Sequence, residues 1–285
     1  MDATIRPARP EDLDACGRIS YRAFLDIAQR HGFAPDFESE ESARLALGSF
    51  VSHPLTYGVV AERDGRVVGS AFVHDRRPVA GIGPVTVDPA GQDGGVGRAM
   101  MEAILEWASQ REFSAIRLVQ TAYHMRSLAL YASLGFDARE PLLCLQGRAI
   151  GEIAPGHEVR RASTDDIASC NDLCQTVHGF ARSFELTRGI QRGAALVCVR
   201  EGRITGYVSE VAFWGHGVSE TDDDMTALVG AAPVFGGPGF LVPTRNTGLL
   251  RWCLARGLRI VQPMTLMTMG WFQEPAATYL PSVGF

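Results

Sequence analysis

Residues 85–98 read V-T-V-D-P-A-G-Q-D-G-G-V-G-R and carry the clearest signal for chemistry in the chain. An apolar run stops at Asp88-Pro89, and glycines at 91, 94, 95 and 97 crowd the turn that follows. Val96, Met100, Ala103, Ile104 and Trp107 then recur at helical spacing, so the stretch predicts a strand, a loop and a helix. Glycines at a helix entrance let several backbone N–H groups turn toward one point, with the helix dipole behind them. That arrangement binds a phosphate.

The flanking elements must hold this loop in place. Thr4-Ile5-Arg6 predicts a short strand, and Pro10-Glu11-Asp12-Leu13 opens a helix whose first-turn acids suit its dipole. A second helix is expected over about residues 40–50. Residues 57–62 and 66–73 predict two strands joined by Asp64-Gly65, a hairpin turn. Residues 79–87 add a third strand that contains Gly83-Pro84; proline donates nothing to a ladder, so a bulge or splay is expected there. After the loop and its helix come a strand at 115–119, a helix at 125–134 stopped by Gly135, and a strand through 142–145. The order β-α-α-β-β-β-α-β-α-β predicts an α/β (α+β) fold, a mixed sheet with helices on both faces.

The pattern then restarts. Residues 146–158 read as a linker, after which Arg160, Ala162, Asp166 and Cys170 repeat the spacing of Arg6, Ala8, Asp12 and Cys16. Glu201-Gly202-Arg203 repeats Asp64-Gly65-Arg66. Residues 245–250 can be laid on 92–97, and Tyr279 to Gly284-Phe285 on Tyr131 to Gly135-Phe136 with one extra residue. Four ordered matches predict an internal duplication, and 285 residues suffice for two domains, 1–147 and 158–285.

Composition narrows the function class. A net charge of −5 argues against a nucleic-acid partner, which calls for a basic face. The longest charge-free run, residues 225–244, is broken by Pro233, Pro238 and Pro243, so it predicts a loop region and no membrane span. The six cysteines form no C-x-x-C pair and no signal peptide is read at the start, which predicts a reduced, cytoplasmic protein. Cys170 and Cys174 lack the further ligands of a zinc set, and no metal is expected.

At this point a family is legible. Val87-x-Pro89-x-x-Gln92-x-x-Gly95-x-Gly97 resembles the acyl-CoA signature of the GNAT superfamily of N-acetyltransferases. Leu130-Tyr131-x-x-x-Gly135-Phe136 resembles its second motif. The resemblance covers residues 3–146, and the second half looks like a degenerate copy, as in tandem-repeat GNAT proteins. It implies acetyl-CoA as co-substrate and direct acetyl transfer to a primary amine of a small molecule. The backbone of Gln92, Asp93, Gly94, Gly95, Val96, Gly97 and Arg98 would hold the pyrophosphate, with glycine at 95 and 97 for close approach. Val85, Thr86 and Val87 would pair with the pantetheine arm, and His124 and Ser127 would complete the cofactor contacts. Pro84 has no N–H, so the donor to the thioester carbonyl would be Val85 or Val87. Tyr131 would act as general acid on the leaving thiolate. Two positions depart from the pattern: Asp93 sets a carboxylate beside the pyrophosphate, and His124 stands where the family has asparagine.

The base is the open part. An alkylammonium group has a pKa of about 10 and must lose a proton before attack. Residues 79–87 hold no carboxylate, which leaves His74, Asp75, Glu38, Glu40, Glu41, the terminal carboxylate of Phe285 or a chain of waters. In the second copy Leu250 replaces the second motif glycine, so residues 158–285 are expected not to bind CoA. Asp222-Asp223-Asp224 could attract a cationic acceptor or form an exposed loop. A non-catalytic acyl-CoA-binding or regulatory protein and a protein-amine acetyltransferase are the competing readings. Monomer and homodimer both stay open.

Overall fold

The computed structural model describes residues 3–51, 53–92 and 94–284. Two units divide the chain, one running to Ala138 with Met267–Trp271 and Gly284, the other made of Arg139–Leu266 with Phe272–Val283. In chain order the first half forms β1 (Thr4–Pro7), α1 (Leu13–His31), α2 (Glu40–Val51), β2 (Thr56–Arg63), β3 (Arg66–Arg76), β4 (Val79–Val87), α3 (Val96–Ser109), β5 (Ala115–Thr121), α4 (Met125–Ser133) and β6 (Asp137–Gln146). The second half forms β7 (Glu158–Arg161), α5 (Ile167–His178), α6 (Ser183–Gln191), β8 (Leu196–Arg200), β9 (Arg203–Val208), β10 (Gly217–Ser219), α7 (Asp222–Ala231), β11 (Phe240–Pro243), α8 (Thr247–Ala255), β12 (Arg259–Gly270) and β13 (Thr278–Leu280). The first ten elements and the next ten follow one order, β-α-α-β-β-β-α-β-α-β.

In the first unit the strands run β1-β2-β3-β4-β5, antiparallel except for the parallel pair β4–β5. Side-chain alternation sends Val59, Ala61, Ala71 and Val73 to one face, where they meet Met100 and Ile104 of α3. Val60 and Phe72 point the other way, onto Cys16 of α1 and Leu47 and Phe50 of α2. Helices thus cover both faces of a mixed sheet, as the order of elements requires. The strand beside β5 is the end of β12, whose Met267 joins this core and whose Gly270 is followed by a Trp271 N–H bonded to the Ser114 carbonyl at 2.9 Å. β6, from Arg139 on, belongs to the second unit and pairs antiparallel with β11. The second unit's other strands run β13-β10-β9-β8-β7, with Leu173 and Val177 of α5 packed on Tyr207 and Val218. All six cysteines are buried thiols. Among the described residues no helix is long and apolar enough to cross a membrane.

The duplication is most exact at the start of each half. Arg6 grips Asp12 through two bonds of 2.7 and 2.8 Å, and Arg160 grips Asp166 through two of 2.8 Å. The hairpin turns also match: Asp64 and Gly65 have φ of 51° and 71°, Glu201 and Gly202 of 54° and 76°. A two-residue turn with both central residues left-handed follows the strand twist, which is why an acid precedes glycine in each. The other two matches expected from sequence do not hold. Residues 245–250 lead into α8, the counterpart of α4 by order, while the counterpart of α3 is α7, beginning at Asp222. Tyr279 lies on β13, whereas Tyr131 lies on α4. Those matches rested on glycine and aromatic spacing alone, which fixes no element type.

Asp166 also accepts from the Ser163 N–H at 2.7 Å, so the Arg160 guanidinium and this N–H hold its carboxyl at about 2. Its contribution to stability is present above the unfolded carboxyl pKa of about 3.9 and is lost as pH falls toward the folded value. Asp166→Asn is therefore expected to cost roughly 1–3 kcal/mol at pH 7 and progressively less below pH 4, measured by urea unfolding across that range.

Candidate functional site

β4 pairs with β5 only from Val79 opposite Ala115 to Ile82 opposite Leu118. Beyond Ile82 the two strands part. Against β3, Val73 faces Ile82 and Ala71 faces Val85, so Gly83 and Pro84 together oppose Phe72: a bulge at the place the Gly-Pro pair predicts. His74 fixes it. Its Nε2–H donates to the Gly83 carbonyl at 3.0 Å, and the Thr56 hydroxyl donates to its Nδ1 at 3.1 Å.

Past the bulge, the Asp88 N–H donates to the Val68 carbonyl at 2.9 Å. By strand alternation Thr86 also turns its N–H and C=O to β3, and those of Val85 and Val87 turn to the side that β5 has left. The Thr86 hydroxyl sits inward, 3.1 Å from that of Ser20 and 3.3 Å from that of Ser70. The exposed edge runs on to the start of α3. Gly95, with φ of 74°, precedes that helix, and its carbonyl takes the first helical bond, from Ala99 at 3.0 Å. The N–H groups of Val96, Gly97 and Arg98 therefore have no acceptor within the helix. Among the described residues no side chain caps them, and the first turn holds no acid.

A cleft of about 420 Å³ opens along this edge. Gly91, Gln92, Gly95, Val96 and Gly97 line one end, and Val85, Thr86 and Val87 line its length. His124, Ser127, Leu130 and Tyr131 come from the entry and body of α4, and Phe24, Asp26, Arg30 and His31 from α1. Tyr131 packs edge-on against Phe136, and burial alone pushes its phenol up to about 12. Burial holds His124 below the ordinary imidazole value of 6.5, helped by Arg126, His31 and Arg30 and opposed by Asp26. Tyr123 stacks on Phe33 at 4.3 Å, and burial raises its phenol far above the usual range. A free strand edge leading to an uncapped helix N-terminus can hold a long ligand with an amide-bearing arm and a phosphate.

Residues 21–136 match the sequence profile of the Acetyltransferase (GNAT) family. That stretch of the first half is similar to a GNAT domain. A mycothiol acetyltransferase of Thermomonospora curvata is 33% identical over 136 residues, 47% of this chain and 43% of that one. The chain spans less than half the length of the curated relatives it matches. Two solved structures share the fold along nearly the whole chain. A Pyrococcus horikoshii protein, solved as a candidate acetyltransferase, has a TM-score of 0.74 at 18% identity, covering 98% of this chain and 93% of that one. A tandem GNAT protein from the clavulanic acid biosynthesis pathway has a TM-score of 0.58 at 14% identity, covering 94% and 98%.

The cleft gathers ten residues singled out from sequence: Val85, Thr86, Val87, Gln92, Gly95, Val96, Gly97, His124, Ser127 and Tyr131. Others lie elsewhere. Gly94 sits by the Arg63 guanidinium, and Arg98 turns to the Ser133 hydroxyl and Glu102, because its helix position faces α4 and solvent. The base candidates are committed outside the cleft: His74 to the bulge, Asp75 to Arg77 at 3.0 Å, and Glu41 to Arg44 at 2.8 Å, which holds its carboxyl low. Glu38 and Glu40 are exposed and do not line the cleft. Asp93 and Phe285 lie outside the described residues. The reason for glycine also changes. A Cβ on Gly97 would make ordinary contacts at 3.6 and 3.7 Å with Leu130 and Val87, and one on Gly95 would meet nothing, so at 95 it is the left-handed φ that selects glycine.

Sequence reasoning missed the α1 wall. Asp26 and Arg30 stand four apart on one helix face, which reads as a solvated pair until α1 is known to border the cleft. Arg126 was missed likewise; its guanidinium reaches the Gln92 amide oxygen at 3.5 Å and lines the cleft there.

Proposed function

We propose that this chain transfers acetyl directly from acetyl-CoA to the primary amine of a small molecule. The domain over residues 1–147 holds acetyl-CoA, and residues 158–285 do not. The observation that carries the reading is the edge of Val85 and Val87 that β5 leaves, where the Gln92 amide donates to the Val87 carbonyl at 3.4 Å, leading to the N-terminus of α3, which Gly95 does not cap. The pantetheine amides would extend along that edge, with the pyrophosphate at the N–H groups of Val96, Gly97 and Arg98 and Arg126 beside it. The enclosure of the cleft by α1 favours a small acceptor.

Acetyl-CoA, when bound, supplies an acyl group on a thiol leaving group. The Val85 or Val87 N–H donates to the thioester oxygen as it gains charge, an effect worth about 3–4 kcal/mol for a fixed donor. Tyr131 keeps its proton at neutral pH, with its phenol at about 12. A thiol sits at about 8.5, so full transfer from this phenol to a thiolate is uphill. Tyr131 therefore acts chiefly as a hydrogen-bond donor that stabilises charge on the departing sulfur.

The second half supports the division. The edge of β10 equivalent to that of β4 is taken: Gly217, Val218 and Ser219 pair with Leu280, Tyr279 and Thr278 of β13. The start of α7 is capped by Thr221, whose hydroxyl accepts from the Asp224 N–H at 3.2 Å, and Asp222, Asp223 and Asp224 fill its first turn. Neither feature leaves room for an anion. These, and not Leu250, are the obstacles to CoA there, since Leu250 lies in α8.

Thiol release from acetyl-CoA with and without a panel of small primary amines tests the reading. Amine-dependent release is expected. CoA binding with no amine-dependent release would mark a non-catalytic binder, and release with peptide amines alone would mark a protein acetyltransferase.

A further inference from the structure

We propose that His74 is a positioning residue for acetyl transfer: it holds the β4 bulge in the register that turns the Val85 N–H to the edge β5 leaves. The inference rests on the acetyl-transfer reading above, which gives that N–H to the thioester oxygen. Val85 lines the cleft and carries the first N–H after Pro84, which has none. Which edge of β4 this N–H faces is decided by register, because N–H groups alternate between the two edges of a strand. A slip of one residue against β3 would turn the Thr86 N–H outward and those of Val85 and Val87 to β3.

The bulge sets that register. Val73 faces Ile82 and Ala71 faces Val85, so Phe72 alone stands against two residues of β4. Pro84 brings no donor there, and the Gly83 carbonyl takes one from a side chain, His74 Nε2 at 3.0 Å. A carbonyl only accepts, so the ring hydrogen of this bond sits on Nε2, and Nδ1 takes the Thr56 hydroxyl at 3.1 Å. His74 is paired with Thr56 on β2 and with Gly81 on β4, and Gly81 has no side chain to bar the ring from Gly83. Phe50 of α2 closes on the ring edge-on, with centroids 4.7 Å apart. The imidazole is 2% exposed, so bulk water does not stand in for it.

Without this bond the Gly83 carbonyl loses its partner, and shifting the bulge along β4 is the way to regain one. The shift costs the reaction its donor, because Val85 then points its N–H at β3. His74 thus acts through Gly83 and Val85 and touches no reacting atom.

Two substitutions in the full chain separate positioning from support. His74→Gln places an amide N–H at about the reach of Nε2 and keeps the bond to Gly83, whereas His74→Asn reaches only as far as Nδ1 and loses it. Both put an amide in place of the imidazole, so a loss of support alone affects both alike. Amide exchange without ligand reads the register. The unmodified chain and His74→Gln are expected to exchange at Val85 and Val87 at least about tenfold faster than at Thr86, and His74→Asn to lose that contrast. With acetyl-CoA and the fastest amine of the panel above, kcat is expected to fall about thirtyfold in His74→Asn and less than about fivefold in His74→Gln. Thr56→Val, which keeps the ring and removes its Nδ1 partner, is expected to show the same change in smaller measure, about fivefold in kcat, and serves if His74→Asn does not fold. A contrast retained in His74→Asn, equal losses in the two His74 variants, or an unchanged kcat where the contrast is lost would overturn the assignment. No thiol release by the unmodified chain with any amine would refute the acetyl-transfer reading and the role in it, while the exchange pattern, read without ligand, would still decide whether His74 sets the register.

Discussion

Gly97→Asp is expected to weaken acetyl-CoA binding by at least a hundredfold while leaving the fold as stable as before or slightly more so. The two effects have opposite signs for one reason. The first turn of α3 presents the N–H groups of Val96, Gly97 and Arg98 with no acid in that turn and, among the described residues, no side-chain cap. A carboxylate there satisfies the helix dipole, worth about 0.3–1 kcal/mol of stability. The same carboxylate stands where a phosphate would, and two like charges 4 Å apart repel by about 4 kcal/mol at an effective dielectric constant of 20. Counter-ion screening reduces that figure, so a hundredfold is the conservative end. The second half carries this change naturally, in Asp222, Asp223 and Asp224 at the start of α7. Calorimetric titration with CoA and a thermal melt of the same sample read both signs. An affinity loss matched by an equal loss of stability would point to a disrupted helix.

Tyr131→Phe is expected to lower kcat by about a hundredfold with the KM for acetyl-CoA changed less than about threefold. The ring of Tyr131 packs edge-on against Phe136 at 6.3 Å, and phenylalanine keeps that contact. Only the hydroxyl is lost, and its partner in the reaction is a sulfur that becomes charged late, so transition-state stabilisation falls more than ground-state binding. Because burial holds this phenol at about 12, the unmodified chain should show no basic limb in kcat up to about pH 10. Steady-state kinetics from pH 6 to 10 check both statements. An unchanged kcat would remove Tyr131 from the chemistry.

The strand-loop-helix unit and the splay were legible because each rests on a local rule. Gly83-Pro84 cannot continue a ladder, and the structure places the bulge at that pair. The Asp-Gly and Glu-Gly hairpins were legible for the same reason. Position in space was not. His74 looked like a free titratable group in sequence, but its two ring nitrogens bolt the bulge in place. Asp26 and Arg30 carried no signal in the sequence, yet they border the cleft, because the cleft wall is set by the packing of α1 over β4. The repeat was legible in its first elements, where Arg160–Asp166 copies Arg6–Asp12 geometrically. It was misaligned near its end, where residue spacing alone had to stand in for element order. The strand β13 on the edge of β10 had no sequence signal, since three residues pairing across a long separation leave no period to read.

Amide hydrogen exchange with and without CoA most directly tests whether one acetyl-CoA lies along β4 and ends at α3. Slowed exchange is expected at Val85, Val87, Val96, Gly97 and Arg98, on the strand edge and in the first turn of α3, and no change at Gly217, Val218 and Ser219, already paired with β13. Tight CoA binding with no protection at Val85, Val87 and the first turn of α3 would contradict it.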